Sequence, residues 1–288
     1  MNTQALPIGR AAQPFRHAQQ GLPTLGVLVW WSLPASLELS LPEIEQKLFS
    51  AGLPVSLVPR VQARGALSKA LQRLESGNLV RRITEDSEKV VLALVAEEVD
   101  AQALEVDYEQ VQTVTLNKTS KSLEFSSGAH ADQIRDLFAR FSSTLTAGQV
   151  RTLIRRALDV AHPIPVRPGL FFVGRDHEVR AESLAKFVDS LSPDSSLGTL
   201  GIVDSRQTRA TMLRIVREDL EAEIDRAQEG LDSALADSGT RATTLARRLE
   251  VFRKVRAKVS GYSELLEFSV RDLQEKLRGL EDRVKQAL

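Results

Sequence analysis

The chain has no cysteine, so it can form no disulfide and no thiolate metal site. It has no net charge: 38 lysines and arginines balance 38 aspartates and glutamates. A protein that holds nucleic acid through its overall field is usually basic, so any such role here must rest on a local patch. No apolar run approaches the ~20 residues of a membrane helix. The N-terminus lacks the charged segment and apolar stretch of a secretory signal. A cytoplasmic protein without membrane contact is expected. Catalytic signatures are also missing. None of His17, His130, His162 and His177 has a second histidine or a carboxylate at zinc-ligand spacing. Gly198-Thr-Leu-Gly201 lacks the lysine and the preceding strand of a phosphate loop, and no G-x-S-x-G elbow occurs. Asp176-His177-Glu178 is the nearest approach to an acid/base cluster, but it lies where a helix start wants acids, with Asp176 as the cap. No enzyme, cofactor or metal is expected.

Proline is absent from Arg206 to Leu288, and here the sequence turns informative. Apolar residues recur in steps of three and four from Leu213 to Leu235 and again from Leu245 to Leu288, the seam of a coiled coil. Ser238-Gly239 is the natural turn of an antiparallel hairpin, which puts residue 218 near 261 and residue 206 near 273. The arms span about 31 and about 48 residues, or ~46 and ~72 Å, so the second overshoots. Its terminal stripe of Leu273, Leu277, Leu280, Val284 and Leu288 must be covered by the globular part or by another chain, which makes these the candidate residues for partner binding or self-association.

The arms also differ in charge. Residues 218–237 carry eight acids and one base, and residues 241–258 carry seven bases and one acid. Mutual neutralisation that selects the antiparallel partner is the simpler reading. A basic tip for phosphates is the other, and the facing acids oppose it.

Ahead of the arm, residues 1–23 read as a flexible tail, with Pro7, Pro14 and Pro23 and few large apolar side chains. Leu25–Trp31 reads as a buried strand. Ser40-Leu-Pro-Glu43 is a capping box that opens a helix to about Ser50. A second helix is expected over 66–76, then strands at 79–83 and 90–95, and a further hairpin at 111–116 and 122–126. Helices follow at about 130–142 and 147–159, the latter with Thr146 and Gln149 in capping-box register. His162-Pro-Ile-Pro165 and Pro168 form a stiff linker. A strand at 170–173, a helix at 178–191 and a strand at 197–203 make one βαβ unit. Asp204 and Ser205 read as the cap of the first long helix.

The order helix, short broken piece, helix, ribbon over residues 41–95 resembles a winged helix. Ala66-Leu-Ser-Lys-Ala-Leu-Gln-Arg-Leu-Glu-Ser-Gly-Asn-Leu-Val-Arg-Arg82 resembles its recognition helix and first wing strand. Arg60, Arg64, Lys69, Arg73, Arg81 and Arg82 outnumber Glu75, as a major-groove reader would want. Lys69, Arg73, Arg81 and Arg82 are therefore the candidate nucleic-acid contacts. Pro54 and Pro59 oppose a middle helix, and Glu85, Asp86 and Glu88 would repel phosphates. The whole order resembles an uncharacterised prokaryotic, partly phage-associated family. Gly26-Val-Leu-Val-Trp-Trp31, Gly169-Leu-Phe-Phe-Val173, Leu200-Gly-Ile-Val-Asp204 and the two long helices carry that resemblance. It implies an architecture and no activity.

The expected fold is α+β: an α/β head, in two lobes with one winged-helix-like, and a C-terminal antiparallel helical hairpin. Its parts are the tail 1–23, an α/β module 24–127, a helical and βαβ module 128–204 and the hairpin 205–288. The expected function is a non-enzymatic assembly or adaptor protein whose arm binds a protein partner or a second copy. DNA binding through 41–95, with the arm as dimerisation element, is the alternative.

Overall fold

The apolar run that starts at Leu25 is a strand at the heart of a four-stranded sheet in the computed structural model of the chain. The structure describes residues 23–74, 79–100, 105–128, 130–236 and 242–287. The expected tail lies outside them apart from Pro23. In chain order the strands are β1 (Thr24–Ser32), β2 (Glu38–Ser40), β3 (Leu79–Glu85), β4 (Lys89–Asp100), β5 (Glu105–Asn117), β6 (Leu123–Phe125), β7 (Thr144–Thr146), β8 (Ile164–Arg167), β9 (Leu170–Gly174) and β10 (Ser196–Val203). The helices are α1 (Leu41–Ser50), α2 (Ala63–Arg73), α3 (Ala131–Ser143), α4 (Ala147–Asp159), α5 (Glu178–Leu191), α6 (Arg206–Ala236), α7 (Ala242–Leu266) and α8 (Arg271–Ala287). The fold is α+β, as expected. It divides into two units, one of Met1–Pro34, Ser50–Leu53 and Ile154–Leu288, the other of Ala35–Phe49 and Pro54–Leu153. β1 therefore belongs with the C-terminal part of the chain, not with a module over 24–127.

In the first unit the sheet order is β10-β1-β9-β8, and every neighbouring pair is antiparallel. β9 and β10 thus run parallel with β1 between them, so the expected βαβ unit exists in split form. The prolines at 163 and 165 do not make a linker. Pro163 immediately precedes β8 and Pro165 lies in it; β8 is an edge strand, where a missing N–H donor is tolerated. At Gly26 (φ 148°) a Cβ would fall 2.1 Å from the Val173 carbonyl oxygen, so only glycine lets β1 and β9 approach there. α5 covers one face with Ala181, Leu184, Phe187 and Val188. On the other, Leu25, Ile164 and Phe172 share a core with α6, α7 and α8.

The hairpin is present and its register is the expected one. Lys258 meets Asp219 and Glu223, and Arg248 lies on Gly230. The second arm, however, is not one helix to the end. It breaks at Glu267, whose φ of 55° is left-handed, and α8 turns back against both α6 and α7. Arg217–Asp272 and Arg256–Glu281 ion pairs, both 2.7 Å, fix that packing. The overshooting ~72 Å arm is replaced by a three-helix bundle that covers the terminal stripe within the chain. Leu273, Leu277, Leu280 and Val284 are buried in its core, and Leu288 lies outside the described residues. The physical reason is direct: leaving such side chains in water forgoes ~1.5–3 kcal/mol each.

In the second unit β2 pairs with β7, and β3-β4-β5-β6 form an antiparallel meander. α2 and α3 bury Leu67, Leu71, Ile134 and Phe138 in one core with Leu92, Leu94, Val114 and Leu116 of the meander. The capping signals form as read: the Glu43 N–H donates to Ser40 Oγ at 3.4 Å, and the Thr146 N–H donates to Gln149 Oε1 at 3.1 Å. The expected broken middle piece is a single 3-10 turn, Val55–Leu57, and the expected ribbon is the first half of the meander.

Candidate functional site: a basic groove on the helical arm

Four basic residues singled out in 41–95 meet different fates. Lys69 is partly buried and donates to Gln149 Oε1 at 2.9 Å. Arg82 donates to Glu85 at 3.2 Å, and the same carboxylate takes Arg64 at 2.8 Å and Lys118 at 3.0 Å. The Lys118 hydrogen bond and the nearby cations hold the Glu85 carboxyl below the usual range. Arg73 and Arg81 are exposed. β3 alternation puts Arg81 and Arg82 on opposite faces, since Arg81 pairs with Ala93 and Arg82 with Leu92. The four do not converge.

Convergence occurs elsewhere, within the first unit. The last turn of α4, the bend after it, α6 and α7 enclose an open groove of about 770 Å³. Its lining includes five bases, Arg156, Arg226, Arg248, Lys254 and Lys258, against two acids, Asp159 and Glu223. Lys258 is buried and spoken for, with Asp219 and Glu223 each 2.7 Å away. None of Arg156, Arg226, Arg248 and Lys254 is held in an ion pair with a carboxylate among the described residues. Val160, Pro163, Ala227, Val251 and Val255 supply apolar surface between the charges. Arg248 is placed by its neighbour: a Cβ at Gly230 would lie 2.5 Å from its guanidinium, so glycine makes the bed on which it rests.

His162 stands in the groove wall with a left-handed backbone, φ 49°, rare outside glycine. The buried Tyr262 hydroxyl of α7 donates to its carbonyl at 2.8 Å and holds that bend. Burial of the phenol pushes its pKa up. Partial burial pushes the His162 imidazole pKa down, and the neighbouring His177, Lys258, Arg180 and Lys254 add to the effect. Asp159 reaches solvent yet is crowded on one side. That desolvation raises its carboxyl pKa against the pull of Arg155, Lys254 and Lys258.

The pattern of a family of unknown function (DUF6744) matches residues 24–288. The chain belongs to that family. No curated protein and no solved structure matches it. Membership agrees with the uncharacterised family that the order of strands and helices resembles. For this DUF6744 member, then, the chemistry of its own side chains carries the functional argument. Among the described residues no group of three metal-ligating side chains gathers, and no helix is long and apolar enough to cross a membrane. The acid/base cluster at 176–178 spans a 3-10 turn and the start of α5. The residue before that helix is His177, not Asp176, and it makes an edge contact with His162 at 5.9 Å. The cap at 204–205 forms as expected: Ser205 Oγ accepts the Thr208 N–H at 3.2 Å, and Asp204 holds Arg209 at 2.6 and 2.7 Å.

Sequence reasoning missed the groove because its parts come from three separate segments. The charge blocks of the arm were the one available signal. Their expected neutralisation is partial. Lys258 alone answers two acids, while Arg253 pairs with Glu250 on its own helix, Arg256 with Glu281 of α8, and Asp232 with Arg283 of α8.

Proposed function

We propose that this protein is a cytoplasmic, non-enzymatic adaptor whose helical arm receives an acidic segment of a partner protein in the groove between α6 and α7. The observation that supports this is the convergence on an open, partly apolar surface of four cations that form no ion pair among the described residues. The arm's apolar seam is consumed inside the bundle, so recognition runs through its charged side. Complementary charge at such a surface speeds and steers association and makes it salt-dependent.

Titration of a fluorescent oligoglutamate peptide tests the reading. Binding should weaken with salt and fall on the order of tenfold when Arg226 and Lys254 are both changed to Glu. Equal affinity of variant and parent would sink it. The same titration with duplex DNA addresses the alternative function. Salt-dependent DNA binding that disappears on substituting Arg73 and Arg81 by Ala would move the function to the second unit.

A further inference from the structure

We infer that the groove is also a binding site for a phosphorylated small molecule of the nucleoside diphosphate class. The inference rests on reading the groove as an anion-binding face, and not on the partner being a protein.

Size comes first. About 770 Å³ lies within the ~300–1,000 Å³ typical of small-molecule sites, and a lone carboxylate or phosphate would leave most of it empty. Charge comes second. Lys258 with Asp219 and Glu223 keeps one net negative charge and Asp159 adds another, so three guanidiniums and one ammonium still outnumber the negative charge they face. A carboxylate returns one negative charge, whereas a phosphate group returns roughly 1.5 to 2 at neutral pH, and a diphosphate more. Planar guanidinium forks suit phosphate oxygens, which they grip through paired N–H donors. Arg156, Arg226 and Arg248 come from α4, α6 and α7, so they approach from different walls.

The rest of the lining suits what such a group is attached to. Val251, Val255 and Pro163 offer apolar surface to a flat ring, and an arginine plane can stack on it. Asp159 supplies an acceptor for sugar hydroxyls. The wall itself is preformed. A non-glycine residue held at φ 49° by a buried tyrosine is local strain maintained by its surroundings, and such strain gathers at ligand sites. Gly230 leaves room for the Arg248 guanidinium to lie against α6.

Isothermal titration of the intact protein at low salt with ADP, inorganic pyrophosphate and adenosine tests this. ADP should bind saturably at one site per chain, pyrophosphate should compete for it, and adenosine should bind most weakly. Changing Arg226 and Lys254 together to Gln, or Arg156 alone to Gln, should each lower ADP affinity on the order of tenfold. Changing Arg73 and Arg81 to Gln should leave it unaltered. Far-UV circular dichroism establishes that each variant is folded, and two independent substitutions guard against one that is not. No saturable ADP binding by the parent, or unchanged affinity in both groove variants, overturns the inference. ADP binding without oligoglutamate binding keeps this site and removes the protein-partner reading. Oligoglutamate binding without ADP binding removes this site alone.

Discussion

Around Glu85 in the second unit, Arg64, Arg82 and Lys118 close on one carboxylate at 2.8–3.2 Å. In the groove of the first unit, Arg156, Arg226, Arg248 and Lys254 gather with none of them in an ion pair among the described residues. Counted along the chain, both regions look basic, with six bases against one acid over residues 60–82 and seven against one over residues 241–258. In space they part. Glu85 ends the strand that carries Arg82 and meets Arg64 and Lys118 there, while helix packing brings groove cations together from distant segments. Charge per stretch of sequence is thus a poor measure of charge per unit of surface. What matters is how many cations the fold has already answered.

The largest effect should come from the frame of the groove. Changing Leu277 and Leu280 together to Ala should destabilise the first unit by about 2–5 kcal/mol for each residue, because both lie in the bundle core. Chemical denaturation measures this, and an unchanged midpoint would mean that α8 does not pack as described. Next comes the answered cation of the groove. Lys258→Met leaves Asp219 and Glu223 without their counter-ion, at about 3–5 kcal/mol, the usual consequence of removing one partner of a buried ion pair. Stability within ~1 kcal/mol of the parent would show the cluster to be as weak as a surface pair.

Smaller effects sharpen the contrast. Gly230→Ala should displace Arg248 and lower anion affinity a few-fold, while stability moves by no more than about 0.5–1 kcal/mol. Anion affinity equal to the parent's would show that Arg248 takes no part in binding. The smallest change belongs to Glu85→Gln. The folded carboxyl is held below its ordinary value of 4.5, so its contribution is complete above that pH and fades as pH falls through the lowered value. The variant should be less stable than the parent at neutral pH, and the two should draw together as pH falls from 4.5 through the lowered value. Its freed cations should also strengthen salt-dependent DNA binding. A stability difference that persists unchanged into acid would contradict the ion cluster.

Much of the fold was legible because local signals were consistent. The Thr146–Gln149 box, the Ser40–Glu43 box and the antiparallel register of α6 and α7 all follow from residue spacing. The break at Glu267 does not. Leu266, Val270 and Leu273 keep steps of four and three straight through it, so apolar period alone cannot see a helix end there. No glycine or proline marks it. Ser269, three residues before Asp272, was the available hint of a new helix start. The edge strand β8 was hidden by Pro163 and Pro165, which read as linker until its neighbour β9 is known. The groove had only the basic block over 241–258 as a local signal, since its cations become neighbours only when α4, α6 and α7 pack.

The insertion of β1 between β9 and β10 also dictates an order of assembly during synthesis. Val27 finds its partners at Val173 and Gly201, so the middle strand emerges early and waits for both flanks. Residues 54–153 of the second unit are complete before either flank is made. That unit closes on contacts nearer in sequence, such as the β3-β4 hairpin, whose loop-closure entropy is small. Until β9 and then β10 leave the ribosome, the apolar segment around Leu25, Leu28 and Val29 lacks its strand partners. Pairing with other chains is its hazard during that interval.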